Sequence, residues 1–265
     1  MRTTATWLLT LLTLAPLAAL ADDATAPAPA RAATPTPTMN VWTGKGQVGF
    51  LDSQGNSPAK SANAALDMSY LTTSWKHTLH LDGLYGESAN ITSAERLDAL
   101  WQSNYNISKD LFAFGNLTYR RDLFDGFQYQ GSGSAGVGYK LLQTQSTTLS
   151  VQLGAGYMLS RPELLTKDAA GEVTERSLLP SQDYAVATAG LNYTEKLTAT
   201  TSLSDQLLIN AGSVNTLITN ALALAVKVSN KLALSVGYDI QDNTSPPPRT
   251  KSLDTMETVN LVFSF

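Results

Sequence analysis

From residue 40 onward, apolar and polar side chains alternate. In the run that starts at Thr148, Leu149, Val151, Leu153, Ala155, Tyr157 and Leu159 share one parity, and Ser150, Gln152, Gly154 and Gly156 share the other. A period of two describes a β-strand with one apolar and one polar face. The same alternation sets Ala62, Ala64, Leu66, Met68 and Tyr70 against Asn63, Asp67 and Ser69. It sets Leu232, Leu234, Val236, Tyr238 and Ile240 against Lys231, Ser235 and Asp239. Beyond residue 40 no window holds 18 consecutive apolar residues, so no helix is expected to cross a bilayer there.

About twelve such segments follow one another, starting near Val41, Lys60, Trp75, Ser93, Leu111, Gln130, Thr148, Gln182, Ser202, Thr216, Lys231 and Thr250. Each has roughly ten or more residues, longer than the ~5 to 6 of a soluble strand and suited to the ~9 to 11 of a tilted membrane strand. The connections alternate in size. Those at 72–74, 108–110, 143–147, 196–201 and 229–231 are tight, whereas 52–59, 86–92, 122–129, 161–182 and 241–249 are mostly longer, polar and rich in Gly or Pro, with a short one at 212–215. Short turns at one end and longer loops at the other are the asymmetry of outer-membrane barrels, and an even strand number puts both termini on the short-turn, periplasmic side. The expected fold is all-β: a transmembrane antiparallel β-barrel of about 12 strands over residues 40–265.

The ending "TVNLVFSF" follows the same rule. Val259, Leu261, Phe263 and Phe265 share one parity, with Thr258, Asn260, Val262 and Ser264 on the other. A bilayer offers no water to an unpaired strand edge, so the last strand is expected to pair with the first and to set Phe265 in an interfacial aromatic girdle. Glu257 interrupts the apolar parity and is placed near the outer rim. An alternating terminus that ends on an aromatic also resembles the signal that bacterial barrels present to the barrel-assembly machinery, which makes that machinery an expected partner.

Residues 1–21 change the compartment rather than the fold. Arg2, the apolar run Trp7 to Leu20 and the small residues Ala19 and Ala21 before Asp22 form a secretory signal peptide. Residues 22–39 are Ala, Pro and Thr with no periodicity, and read as a disordered periplasmic tether. Loss of Arg2 lowers Lys+Arg from 18 to 17 against 22 Asp+Glu, a mature charge of −5. That mild acidity gives no reason to expect nucleic acid as a partner. The chain has no cysteine, which removes disulfides, thiolate metal sites and thiol nucleophiles.

Three stretches carry a resemblance. "LFAFGNLTYRRDLFDGFQYQGSGSAGVGYKLL" at 111–142, "GLNYTEKLT" at 190–198 and "SLDTMETVNLVFSF" at the end are similar to the outer-membrane family DUF481, whose members include a salt-induced outer membrane protein. The segment Arg121-Asp122-Leu123-Phe124-Asp125-Gly126, followed by a glycine-rich strand, is its most specific part. The resemblance spans residues 40–265 and implies barrel topology in the cell outer membrane. It brings no characterised activity, so no catalytic residue is carried over.

Apparent chemical motifs dissolve in context. Gly131, Gly133 and Gly136 fit G-x-G-x-x-G but lie inside an alternating strand that opens no helix, so no nucleotide is expected. These glycines are expected to leave inward space opposite Phe112 and Phe114 or to let the sheet bend. Ser57 to Lys60 fits S-x-x-K without the companion motifs of a serine acyl-enzyme. His77 and His80 lie three apart on a strand and face opposite ways, so they cannot share a metal, and no metal or cofactor is expected. His77 is placed at the interface and His80 in the lumen. A lipid hydrolase would need a serine on a neighbouring strand beside one of them.

The inward parity is the richest in chemistry. Lys45, Asp67, His80, Asp82, Arg96 and Asp98 take it in the first strands, and Arg120, Lys140, Lys231, Asp239 and Asp254 in the later ones. Gln47, Gln102, Asn104, Gln152, Asn192 and Asn210 join them. Barrels of ~8 strands are filled by side chains and those of ~16 hold aqueous channels, so twelve strands suit a narrow lumen. The expected function is a narrow diffusion channel for ions or small polar solutes. A structural or surface-interaction barrel, whose 161–181 loop meets lipopolysaccharide or another partner, and a lipid-modifying enzyme stand as alternatives. Outer-membrane lipids are the expected surroundings in each case.

Overall fold

Thirteen strands and no helix make up the described residues of the computed structural model, which are 40–53, 59–89, 91–169 and 172–265. The signal peptide and tether read at 1–39 lie outside them. The strands are β1 (Val41–Ser53), β2 (Ala59–Leu71), β3 (Trp75–Ser88), β4 (Ile91–Asn106), β5 (Leu111–Asp122), β6 (Phe127–Gln143) and β7 (Thr147–Lys167). After them come β8 (Val173–Leu178), β9 (Gln182–Lys196), β10 (Thr201–Gly212), β11 (Thr216–Lys227), β12 (Leu232–Asn243) and β13 (Leu253–Ser264). Every pairing is antiparallel. Neighbours in sequence pair around the ring, β7 pairs with β9, and β13 pairs back to β1. Twelve strands therefore close a transmembrane barrel, the number the alternation predicts.

Closure satisfies the terminus. Lys45 to Val48 stand opposite Ser264 to Leu261, and Gly44 and Phe265 exchange backbone hydrogen bonds of 2.9 and 3.0 Å. The Phe265 ring lies where a Cβ on Gly44 would be, so glycine there lets the aromatic lie flat on the seam. The final residue is anchored because a bilayer leaves no water for an open edge.

Register sorts the faces. Trp42, Val48, Leu81, Leu97, Trp101, Leu153, Leu224, Leu234 and Leu261 remain exposed because they form the lipid-facing band. At the short-turn end Trp42, Tyr70, Trp75, His77, Trp101 and Tyr105 form a contiguous aromatic belt, with Trp42 and Tyr70 centroids 4.6 Å apart and Trp75 and Tyr105 centroids 4.9 Å apart. Such belts sit where one side of a ring is apolar and the other wet.

Two expectations are refined by the structure. Residues 161–181, read as a loop, contain a hairpin: β7 runs on to Lys167 and pairs with β8, which belongs to no other sheet neighbour. Glu163 and Leu165 are buried there, and the Glu163–Arg176 ion pair of 2.7 Å holds the two arms. Of the glycine-rich strand, Gly136 and Gly138 face inward in register with Phe114 and Phe112, whereas Gly131 and Gly133 take the lipid-facing parity. The Phe112 ring occupies the space a Cβ on Gly138 would need.

Candidate functional site

The inward faces of β2 to β5 carry a ladder of charges. Asp67, on β2, lies opposite His80, on β3, with Oδ1 and Nδ1 2.7 Å apart, and Gln47 donates to the other Asp67 oxygen at 3.2 Å. Higher on β3 and β4, Arg96 donates to Asp82 at 3.1 Å, and its Nε lies 2.9 Å from Asp98 without the alignment of a hydrogen bond. Arg120, on β5, forks onto both oxygens of Asp98, its Nη2 at 3.1 Å, while its Nη1 is buried without a partner. Arg96 also reaches across to the Met256 sulfur on β13 at 3.6 Å. Paired charges in a partly buried place need such mutual contacts, because each alone would face a large desolvation cost.

Asp239 and Asp254 complete this level from β12 and β13, and neither has a hydrogen bond or ion pair among the described residues. Lys45 is inward and exposed near the short-turn end. Lys140 donates to Asn106 at 2.9 Å. Lys231, placed on the inward parity by sequence, lies in the turn before β12, and its ammonium sits 6.0 Å from the centroid of the lipid-facing Phe263 ring. A turn residue is not bound by strand parity, and a long flexible cation at an interface turns toward an aromatic face.

The lumen is uneven around its circumference. On β5 to β9 the inward Phe112, Phe114, Asn116, Ser132, Gln152, Met158, Tyr184, Val186 and Thr188 are buried against one another. Gln102 bridges to Gln152 at 3.4 Å, and Ser134 donates to Asn116 at 2.6 Å. On the other side Asp67 and His80 keep 35% and 37% of their side-chain surface exposed, and the inward Gln206 and Ala221 are exposed as well.

Sequence reasoning gave no role to the turn Leu123–Gly126. Asp122 accepts from the Phe124 N–H at 2.8 Å, and Asp125 accepts from the Phe127 N–H at 2.9 Å, two successive Asx turns. Gly126 has φ +81°, and a Cβ there would lie 2.7 Å from Thr250 and 3.1 Å from Pro247, in the β12–β13 loop. Arg176 donates to the Leu123 carbonyl at 2.6 Å, with its guanidinium 5.9 Å from the Phe124 ring centroid. Asn215 donates to Asn243 at 2.9 Å and accepts from the Thr244 hydroxyl at 3.1 Å and the Ser245 N–H at 3.0 Å, which ties the β10–β11 turn to the β12–β13 loop, and Gln130 of β6 reaches Asn243 of the non-neighbouring β12 at 3.5 Å. Asp125 is 8% exposed with Oδ2 unpartnered, and burial, reinforced by the neighbouring Asp122, pushes its carboxyl up to about 8. The spacing Asp-x-Phe then Asp-Gly-Phe was the available signal.

His77 faces the lipid, not the lumen. Its Nδ1 lies 2.7 Å from the Ser103 hydroxyl on β4, and its ring stacks near Trp75 and Trp101 with centroids 5.5 and 6.4 Å away.

Residues 46–265 match the family model described as "Protein of unknown function, DUF481". No curated protein matches the chain. Among solved structures, the translocator domain of autotransporter NalP from Neisseria meningitidis is similar at 13% identity and a TM-score of 0.46, over 87% of this chain and 89% of that one. The COG4313 outer membrane channel from Pseudomonas putida F1 is similar at 9% identity and 0.46, over 90% and 100%. The NanC porin follows at 11% and 0.45, over 85% and 99%.

Proposed function

The chain belongs to the DUF481 family, and from that premise we propose that its barrel is a narrow, loop-gated channel of the outer membrane for ions or small polar solutes. The observation that carries the reading is the exposure of the inward Asp67, His80, Gln206 and Ala221, which supports an open path beside the packed wall of β5 to β9. The path narrows at the level of Arg96 and Arg120. Four aspartates, Asp82, Asp98, Asp239 and Asp254, face two arginines there, so the constriction favours cations over anions. The tied outer loops serve as its gate. Assembly through the barrel-assembly machinery, reading Val259, Leu261, Phe263 and Phe265, accompanies this function.

Single-channel recording on the refolded chain without residues 1–21, after a heat-modifiability gel verifies folding, tests the reading. Discrete steps with a reversal potential on the cation side are expected, and Asp239→Asn should move that potential toward zero selectivity. Silence from a folded barrel would overturn the channel and favour a structural barrel whose loops meet lipopolysaccharide.

The His77–Ser103 contact supports a second reading, a lipid ester hydrolase at the membrane interface. Ser103 Oγ would attack an acyl carbonyl while His77 Nδ1 takes its proton. The ester C–O bond would break as that proton passes to the departing alcohol, and water, deprotonated by His77, would then release the fatty acid from Ser103. Unchanged turnover of a phospholipid ester after Ser103→Ala would end it.

A further inference from the structure

The charges of the lumen are sorted along its axis. Toward the outer loops, the inward Asp82, Asp98, Asp239 and Asp254 face Arg96 and Arg120. At the short-turn end the inward parity instead carries Lys45 on β1, Lys76 on β3, Lys140 on β6, Lys196 on β9 and Lys227 on β11. These strands are spread around the ring, so the lysines encircle the mouth. Lys140 is half-buried and the other four are exposed. Asp67, the inward strand carboxylate nearest this end, is already held by His80 and Gln47. Among the described residues none of the five lysines has an ion pair, and Asp110, in the β4–β5 turn, makes none with them.

The part of the ring on β1 to β6 is organised. The charged groups that act on Lys76 are Lys45 and Lys140, with no carboxylate among them. The Lys140 ammonium donates to Asn106 Oδ1 at 2.9 Å and to the Lys109 carbonyl at 3.4 Å, which holds it on the β4 side of the mouth. Asn104, in register with Lys76, accepts from Gln102 at 2.9 Å, and its amide N–H groups have no acceptor among the described residues. Ammonium groups that repel one another in a confined mouth concentrate anions there, and an ion with several negative charges answers more than one lysine at once. Lysine meets oxyanions as a point charge, and an amide N–H adds direction. The ring faces the lumen, so its ligand is a soluble ion and not a lipid headgroup. We propose that the short-turn mouth, centred on Lys45, Lys76, Lys140 and Asn104, is a binding site for a soluble multivalent oxyanion of the phosphate type. The site lies away from the Arg96–Arg120 constriction and does not depend on conduction, so a barrel that carries no current still tests it.

The test is isothermal titration calorimetry with pyrophosphate at low ionic strength, on the full chain refolded in a mild detergent with folding verified by heat modifiability. Saturable binding that weakens as salt is added is expected. Lys76→Gln with Lys140→Gln should weaken it roughly tenfold. Lys76→Arg with Lys140→Arg keeps both charges and should retain binding, which separates the loss of charge from a change in packing. Lys60→Gln with Lys251→Gln, at the outer end of the barrel, should leave binding as it is. A folded wild-type chain that gives no saturable heat, a Lys76→Gln and Lys140→Gln variant that binds as the wild type does, or an equal loss from the outer pair would each overturn the proposal.

Discussion

Asp67 and Asn116 both point into the lumen, a few residues above the short turns, yet the first is only partly buried and the second is buried. The difference lies in what shares the level. Asn116 is hemmed in by Phe114, Ser134 and the glycine-rich β6, whose missing side chains let the Phe112 ring lie against the wall. Asp67 has His80, Gln47 and Lys45 as its polar neighbours, side chains that do not close over it. One alternation rule therefore produces a packed wall and a more exposed one, and residue size at each inward position decides which.

The largest expected effect comes from breaking the packed wall. Phe114→Ala, at a 4% exposed position, should cost about 3–5 kcal/mol in urea unfolding of the refolded barrel. It should also raise single-channel conductance by opening the side that is now dry. Next comes the turn at Gly126, the proposed gate. Gly126→Val forces a β-branched residue into φ +81° against Thr250, at roughly 1–3 kcal/mol, and should lengthen channel open times.

Asp125 sharpens the comparison through pH. Its carboxyl titrates near 8 in the folded chain, against an ordinary value of 3.8. The folded state therefore binds the extra proton between those values. Stability should be highest at acid pH and fall as pH rises toward 8, by at most ~1.4 kcal/mol per pH unit. Asp125→Asn should flatten that slope, with its largest gain above pH 8, in melts taken across the range. The smallest effect belongs to the more exposed wall: Lys45→Gln should change stability by less than about 0.5 kcal/mol while shifting the reversal potential further toward cations.

Much of the barrel was legible in the chain because a period of two leaves a strong trace over strands of 12 residues or more. The twelve ring strands, the short turns and the closing role of Phe265 follow from it. The β7–β8 hairpin did not, because six residues of mixed polarity in β8 give too short a trace. Lys231 was misplaced for a related reason, since parity has no meaning once a residue leaves the strand for a turn. The Arg121–Gly126 segment drew notice only through its resemblance to a family, while its two Asx turns were readable from the Asp spacing.

Alternation along the chain by itself determined that this protein is a membrane barrel and that its strands have one apolar and one polar face, because side-chain direction in a strand is a local property of the backbone. Only the tertiary structure decided that Arg96 and Arg120 share Asp98, that Ser103 meets His77, and that the turn at Gly126 rests on the β12–β13 loop. Those contacts join residues on different strands, and their partners are set by register and by shear around the ring. No local pattern carries that offset, since a shift of two residues preserves every face and changes every neighbour.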